Sequence, residues 1–248
     1  MVNDTVREKD ILSTGFSILF PVYNEGKIIE SNTKKICKFL KSSGFTKFEI
    51  LLCDNASKDN TKKVSQKLVK KYNEIKYVYT EIKGIGSGIK SGINASRFDT
   101  QIMISIDLAF DSRFVYNSIL TMLKDDADVV IGSKRHDGSI VKRPFIRKVA
   151  SLVYNAMINL LFNLNIVDTQ GAVTFSKKSV SKFLKKLTSD DAFFQTQFMI
   201  YGKLNHLKIV EIPINATDTR KSSFSIRKEA FNMSAKLIKE FFKVNFKK

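Results

Sequence analysis

Two stretches of this 248-residue chain carry side chains whose types and spacing suit phosphate chemistry. Lys83-Gly-Ile-Gly-Ser-Gly88 sets one ammonium beside three glycines, where bare backbone can close on an anion. The stretch lacks the spacing of a Walker or dinucleotide fingerprint, so a plain helix-entry turn remains an equal reading. Asp107 closes an apolar run and Asp111 follows four residues later. That placement suits a divalent cation with its phosphates, or a pair of solvated strand-end caps. The two histidines, His136 and His206, lack the company expected of a metal ligand or nucleophile, and Cys37 and Cys53 read as buried small hydrophobes.

Strands and helices in alternation must position these groups. Phe16–Tyr23, Phe48–Cys53, Ile75–Thr80, Gln101–Asp107 and Asp128–Gly132 read as buried strands, and 25–43 and the stretch up to Tyr72 as helices. The glycine turn opens a further helix. This alternation predicts an α/β fold with a mostly parallel sheet covered on both faces, its polar residues gathered where strands end. Residues 149–167 contain no charge, which raises a membrane span. Arg147, Ser151, Asn155, Asn159 and Asn163 recur every fourth residue, however, and mark an amphipathic helix lying on a protein or membrane surface. The last helix, about 227–248, sets Phe231, Leu237, Ile238, Phe241, Phe242 and Val244 against five lysines, and reads as interfacial or packed on its own domain.

Charge adds direction. Residues 1–141 carry 22 basic and 17 acidic side chains, and residues 142–248 carry 20 and 7, within a formal net charge of +18. The C-terminal part is thus expected to face something anionic. Of the 42 basic residues 34 are lysine, and no helix-turn-helix, zinc or RNA-recognition signature accompanies them, so no nucleic acid partner is expected. Two cysteines and a polar first 13 residues point to a reducing compartment and a cytoplasmic location.

In order, Phe20-Pro-Val-Tyr-Asn-Glu25, Cys53-Asp-Asn-Ala-Ser-Lys-Asp-Asn-Thr61, the glycine turn, Ser105-Ile-Asp-Leu108, Gly132-Ser-Lys-Arg-His136 and Asp168-Thr-Gln170 resemble the family 2 glycosyltransferases of GT-A fold. The group most resembled is the dolichyl- or polyprenyl-phosphate mannosyl- and glucosyltransferases, over about residues 16–228. The resemblance implies a polar N-terminal tail (1–14), a GT-A domain (15–220) and a basic amphipathic C-terminal helix (221–248). It implies that Pro21, Tyr23, Glu25, Asp54, Lys83, Gly84, Ser105 and Asp107 bind a nucleotide sugar. Mg2+ or Mn2+ would sit on Asp107, with Asp111 as a second carboxylate. Arg135 and Arg147, with Lys134 and Ser222 (beside Lys221), would take the phosphate of the acceptor; Asp107, Arg135 and Arg147 are the catalytic candidates.

The departures from the family pattern bear on mechanism. Ser105 stands where the first acid of the DxD element is usual, and Ala109 where a third polar metal contact often sits. Asn55 replaces a second aspartate, and the late Phe-Asp-x-Glu element reads Phe194-Gln-Thr-Gln197. The expectation is inverting transfer of a hexose from GDP-mannose or UDP-glucose to a polyprenyl phosphate, on the cytoplasmic face of an anionic membrane, by a peripheral protein with a thinned metal site. A glycan or other hydroxyl acceptor, or a catalytically silent scaffold, are the alternatives.

Overall fold

Hydrophobic side chains that alternate along the strands feed two separate cores, one on each face of a seven-stranded sheet. The computed structural model describes residues 6–142, 144–166, 168–217 and 226–246. The elements run α1 (Glu8–Ser13), β1 (Phe16–Val22), α2 (Ile29–Ser42), β2 (Phe48–Asn55), α3 (Thr61–Lys71), β3 (Ile75–Thr80), α4 (Ile85–Ala95), β4 (Thr100–Met103), α5 (Arg113–Asp125), β5 (Val129–Ser133), β6 (Ile140–Lys142), α6 (Phe145–Phe162), β7 (Ala172–Ser176), α7 (Lys177–Ser181), α8 (Phe193–Leu204), β8 (Ile209–Pro213), β9 (Asn215–Thr217) and α9 (Ile226–Phe246). The sheet order is β3-β2-β1-β4-β7-β5-β8; only β7 runs antiparallel to its neighbours, and β6 pairs with β9 in a separate two-stranded sheet.

Phe16, Ile18, Phe20 and Val22 of β1, with Phe48, Ile50 and Leu52 of β2, pack toward α2, α3 and α5. Leu19, Leu51 and Cys53, from the opposite face of the same strands, pack toward α4, α6, α8 and α9. A strand buried on both faces reads as a continuous apolar run, which is why β1 and β2 are legible in sequence. Register matters for the site: Val22 pairs with Asp54, and Asp54 with Tyr79, so three strand ends lie side by side.

Three expectations shift. The segment read as an N-terminal tail contains α1, because Ile11 is buried in the first core. The helix expected from residue 25 begins at Ile29, after a turn in which the Ile28 and Ile29 amides donate to the Glu25 carbonyl. The strand expected to reach Asp107 ends at Met103; the Ile104 amide still donates to Leu19, and beyond it the chain turns away. Among the described residues no helix is long and apolar enough to cross a membrane.

Helix α4 reaches the sheet through glycine. A Cβ at Gly92 would lie 2.5 Å from Cys53 Sγ, itself fully buried, and burial pushes that thiol's pKa up, so it serves as packing volume. Gly92→Ala gains about 1 kcal/mol of helix propensity and loses roughly 1–3 kcal/mol to overpacking. It is expected to lower the thermal midpoint, whereas the same change in a Cys53→Ala background is expected to raise it; thermal unfolding of the four proteins checks the sign.

Candidate active site

At the ends of β1 and β2 the chain turns through left-handed backbone at Asn24 (φ 56°) and Ala56 (φ 68°), a conformation costly for alanine and held only by surrounding bonds. Those bonds stitch the two exits together. The Asn24 amide donates to Ser57 Oγ (2.9 Å), the Lys58 amide to Asn24 Oδ1 (2.8 Å), and the Glu25 amide to Thr61 Oγ1 (2.8 Å). Asp54 is 1% exposed; one oxygen accepts the Ser57 amide (2.9 Å) and the other the Tyr77 hydroxyl (2.8 Å). Burial and this carboxylate push the Tyr77 phenol up. Asp54 thus ties the 56–58 turn to β3, and each oxygen keeps capacity for one further donor. Pro21 lies within β1, and Tyr23 follows it with Lys83 Nζ 4.4 Å from its ring centroid.

The glycine turn has an occupant, and it is protein. The Asp190 carbonyl accepts the amides of Gly86 (2.7 Å) and Ser87 (3.3 Å), capping α4 from a segment a hundred residues away. A Cβ at Gly84, whose φ is +137°, would lie 2.1 Å from that carbonyl oxygen, and one at Gly86 would lie 2.6 Å from the Ser189 oxygen. The Gly84 amide donates to Asn55 Oδ1 (3.2 Å). Two amides that a phosphate cradle would use are therefore already engaged. The turn enters α4 and its glycines admit the 189–191 backbone, while Lys83 at its head lies against Tyr23.

Past β4 the 105–109 loop turns through Leu108 at φ 51°. Asn32 of α2 donates to the Ile106 carbonyl (2.9 Å), Asp107 Oδ1 accepts the Ala109 amide (3.2 Å), and the Ser105 carbonyl accepts the Leu108 amide. Asp111 accepts from the backbone amide and guanidinium of Arg113, which holds its carboxyl below the usual range. Asp111 is thus engaged by Arg113. An open groove of about 780 Å³ runs beside Asp107, lined among others by Lys35, Phe110, Ile140 and Lys142. Among the described residues no three His, Cys, Asp or Glu side chains gather to hold a metal. Asp107 alone suits a Mg2+-like ion that draws its other ligands from substrate phosphates and water.

At the end of β5 the two cationic candidates separate. The Lys134 amide donates to Asp168 Oδ2 (2.9 Å) and its Nζ to the Gln170 carbonyl (2.6 Å). Arg135 makes one side-chain hydrogen bond among the described residues, Nη1 to the Ser151 carbonyl of α6 at 3.4 Å, which leaves most of its guanidinium donors available. The backbone of Arg147 lies in α6, but its side chain is outside the described part, as are Lys221 and Ser222 entirely. The α6 stripe faces inward: Thr169 Oγ1 donates to Asn155 Oδ1 (3.1 Å), and Asn159 holds Ile166. Ile158 of the same helix is fully buried, while other apolar side chains face out, with Phe145 79% and Leu160 85% exposed.

Residues 17–184 match the model of glycosyl transferase family 2. The chain belongs to this family. Among its relatives, dolichyl-phosphate beta-glucosyltransferase of Dictyostelium discoideum is 26% identical over 93% of this chain and 74% of its own length, and that of Saccharomyces cerevisiae is 24% identical over 90% and 72%. Glycosyltransferase AglD of Haloferax volcanii is 20% identical over 92% of this chain, which spans only 37% of AglD. The fold is shared with glucosyl-3-phosphoglycerate synthase from Mycobacterium tuberculosis, seen with Mn2+, uridine diphosphate and glucosyl-3-phosphoglycerate (TM-score 0.69, 14% identity, 98% of this chain and 85% of that one). The α/β architecture expected from the glycosyltransferase resemblance is thereby shown.

Sequence reasoning on this family 2 chain passed over Tyr77, Asp190 and Glu240. Tyr77 reads as one alternating strand residue, Asp190 acts through a carbonyl that every residue has, and Glu240 lies in a lysine-rich helix. The two aspartates that flank the site differ in what they hold. Asp54→Ala strands the Tyr77 hydroxyl and Ser57 amide, and is expected to cost about 1–3 kcal/mol in urea unfolding. Asp111→Ala leaves a mostly exposed Arg113 and is expected to stay within about 0.5 kcal/mol of the parent.

Proposed function

We propose that this chain transfers a hexose, with inversion, from a nucleotide sugar to a polyprenyl phosphate at a membrane surface. The observation that carries the reading is the pairing of Arg135 with α6. A guanidinium with donors to spare bonds to the Ser151 carbonyl, and Leu152 and Val153 beside it are exposed apolar side chains. A cation at the margin of an apolar surface suits an acceptor with an anionic head and a hydrocarbon tail. The two dolichyl-phosphate beta-glucosyltransferases among the relatives support that class, and favour UDP-glucose over GDP-mannose as donor.

The chemistry asks little of a base. An acceptor phosphate oxygen is already anionic; it attacks the anomeric carbon from the face opposite the diphosphate, the new C–O bond forms, and the electron pair of the old one leaves with the β-phosphate. Gln195 and Gln197, where the family pattern has carboxylates, are buried amides bonded to Gly171 and to Ser189 and Glu240. Neither is placed to take a proton, which matters for a hydroxyl acceptor and not for a phosphate. The work left is alignment and charge stabilisation. Tyr23, Asp54 and Lys83 border the base end, Asp107 the diphosphate, and Arg135 the acceptor phosphate, with Arg147 and Ser222 as further candidates. A divalent ion held by Asp107 and the donor phosphates would neutralise charge on the leaving group.

Membrane attachment follows from surface chemistry. Phe145, Ile146, Leu152, Val153 and Leu160 of α6, with Phe231, Ile238, Phe242 and Phe246 of α9, point into solvent. They lie in the part of the chain with 20 basic and 7 acidic residues. Each lysine or arginine near an anionic leaflet contributes about 1 kcal/mol.

Purified protein with Mg2+ or Mn2+, polyprenyl phosphate and either UDP-glucose or GDP-mannose tests the reading. Lipid-linked hexose is expected from UDP-glucose, with kcat/KM falling at least about a hundredfold in Asp107→Ala and the acceptor KM rising about tenfold in Arg135→Ala. Product with a soluble hydroxyl acceptor instead moves the function to the alternative class; nucleotide binding without any product leaves a silent scaffold. Sedimentation with anionic vesicles is expected to fall with added salt and in a Leu152→Ser, Phe242→Ser double variant.

A further inference from the structure

The donor-side turn is held by a helix that lies at the other end of a chain of buried and half-buried hydrogen bonds. The Asp190 carbonyl that seats Gly84, Gly86 and Ser87 belongs to segment 188–191, and that segment is itself clamped. Ser189 N donates to Gln197 Oε1 at 2.8 Å, and Gln197 Nε2 donates to Thr188 Oγ1 (3.3 Å) and to Glu240 Oε2 (2.8 Å). The second Glu240 oxygen accepts the Tyr201 hydroxyl (2.8 Å) and Lys243 Nζ (2.9 Å). Lys236, one turn before Glu240 on α9, pairs with Asp191. On the other side Lys90 of α4 grips Asp190 Oδ1 at 2.7 Å. Leu237, fully buried, pins α9 between these contacts.

We infer that Glu240 is a positioning residue for the donor site, acting from α9 through Gln197 and segment 188–191 on the Lys83–Ser87 turn. The inference rests on the reading of that turn as part of the nucleotide-sugar site. Its physical basis is the polarity of the bond chain. The Ser189 amide can only donate, so Gln197 must turn its oxygen there and its NH2 toward position 240, which must then accept. Burial works against the Glu240 charge, and hydrogen bonds from Lys243, Gln197 and Tyr201 outweigh it, leaving its carboxyl below the usual range. The glutamine at 197, read from sequence as the loss of a carboxylate, is the complement of a carboxylate that α9 supplies.

The complementarity predicts a rescue. Glu240→Gln presents an NH2 to the Gln197 NH2, or, if its amide turns over, sets that NH2 against the Lys243 ammonium, which has no acceptor to offer. Gln197→Glu sets two buried carboxylates against each other. Each single variant breaks one link and lets segment 188–191 shift. The double variant Gln197→Glu, Glu240→Gln restores every donor and acceptor with the charge moved from position 240 to position 197. The carboxylate now at position 197 accepts from Ser189, Thr188 and the amide at position 240, and the oxygen of that amide accepts from Tyr201 and Lys243.

Hydrogen exchange of the 84–90 amides, without ligand, and calorimetric binding of UDP and GDP, on wild type and the three variants, test this together. Faster exchange at 84–90 and about tenfold weaker nucleotide binding are expected in each single variant, one broken buried hydrogen bond corresponding to about that factor. Recovery to within about threefold of wild type is expected in the double variant. Circular dichroism identifies a variant that fails to fold, and the double variant decides in that case. Unchanged exchange in folded single variants, unchanged affinity, or a double variant as weak as the singles overturns the inference. A wild type that binds neither nucleotide overturns the donor-site reading itself, and the inference with it, whereas wild-type binding with indifferent variants overturns the inference alone.

Discussion

One peptide carbonyl, that of Asp190, occupies the space in which a side chain at position 84 would stand, and two amides at the start of α4 depend on it. Helix N-termini leave donors without partners, and most proteins satisfy them with a neighbouring side chain or water. Here the partner comes from the connection before α8. The consequence runs both ways. The turn must be glycine-rich because another backbone lies on it, and segment 188–191 must be held still because a helix end relies on it. Gly88 and Gly92 extend the same tight contact onto β2, where Cys53 and Asn55 face them. Helix α4 trades helix propensity for closeness along its length, and so the loops after β1, β2 and β3 meet at one edge.

That edge is built against local preference. Asn24, Ala56, Gly84 and Leu108 all take positive φ in the connections that follow strands β1, β2, β3 and β4. Asparagine and glycine accept this readily; alanine and leucine do so at a cost of about 1–2 kcal/mol each. Tertiary bonds carry the cost. Ser57 and Tyr77 hold the ends of Asp54 around Ala56, and Asn32 holds the Ile106 carbonyl ahead of Leu108. Sharp exits of this kind re-aim Tyr23, Asp54, Lys83 and Asp107 toward a common edge instead of letting them continue along their strands. Strain concentrated in these loops, with regular structure elsewhere, is the distribution expected where geometry serves binding.

How much of this was legible in the sequence divides along physical lines. Buried strands announce themselves by composition, so β1, β2, β3 and β5 lie close to where the apolar runs put them, and the ordered motif blocks carry the family. The four-residue repeat Ser151, Asn155, Asn159 predicts a helix, but periodicity says nothing of which face turns inward. Thr169 and Ile166 decide that, and they join α6 only in the fold. The glycines at 84 and 86 signal close approach without naming what approaches, because a carbonyl has no sequence signature. Glu240 was hidden for a related reason: among the lysines of α9 it looks like one more polar-face residue, and only its depth beneath Gln197 and Tyr201 gives it a role. Asp111 shows the converse. Its spacing from Asp107 is suggestive, yet Arg113, two residues on, engages it first.

The orientation of α6 and α9 connects these features. The two helices run side by side in the same direction, Met157 against Ser234 and Phe162 against Phe241. Each turns a buried polar residue toward the body beside apolar ones, Asn155 with Ile158 and Glu240 with Leu237, and leaves further apolar side chains outward. Inward, α6 ends its stripe on the Asp168–Gln170 loop beside Lys134, and α9 ends its own on segment 188–191. The Asp168–Gln170 loop and segment 188–191 are therefore each tied to one of two helices that also expose apolar side chains. An acceptor that combines a phosphate with a hydrocarbon tail must be gripped at both levels at once, its charge among buried hydrogen bonds and its chain along an apolar surface. A soluble acceptor needs only the first. Exposed side chains such as Leu160 and Phe246 carry a standing solvation cost in water, and on the proposed reading a hydrocarbon tail or bilayer relieves it.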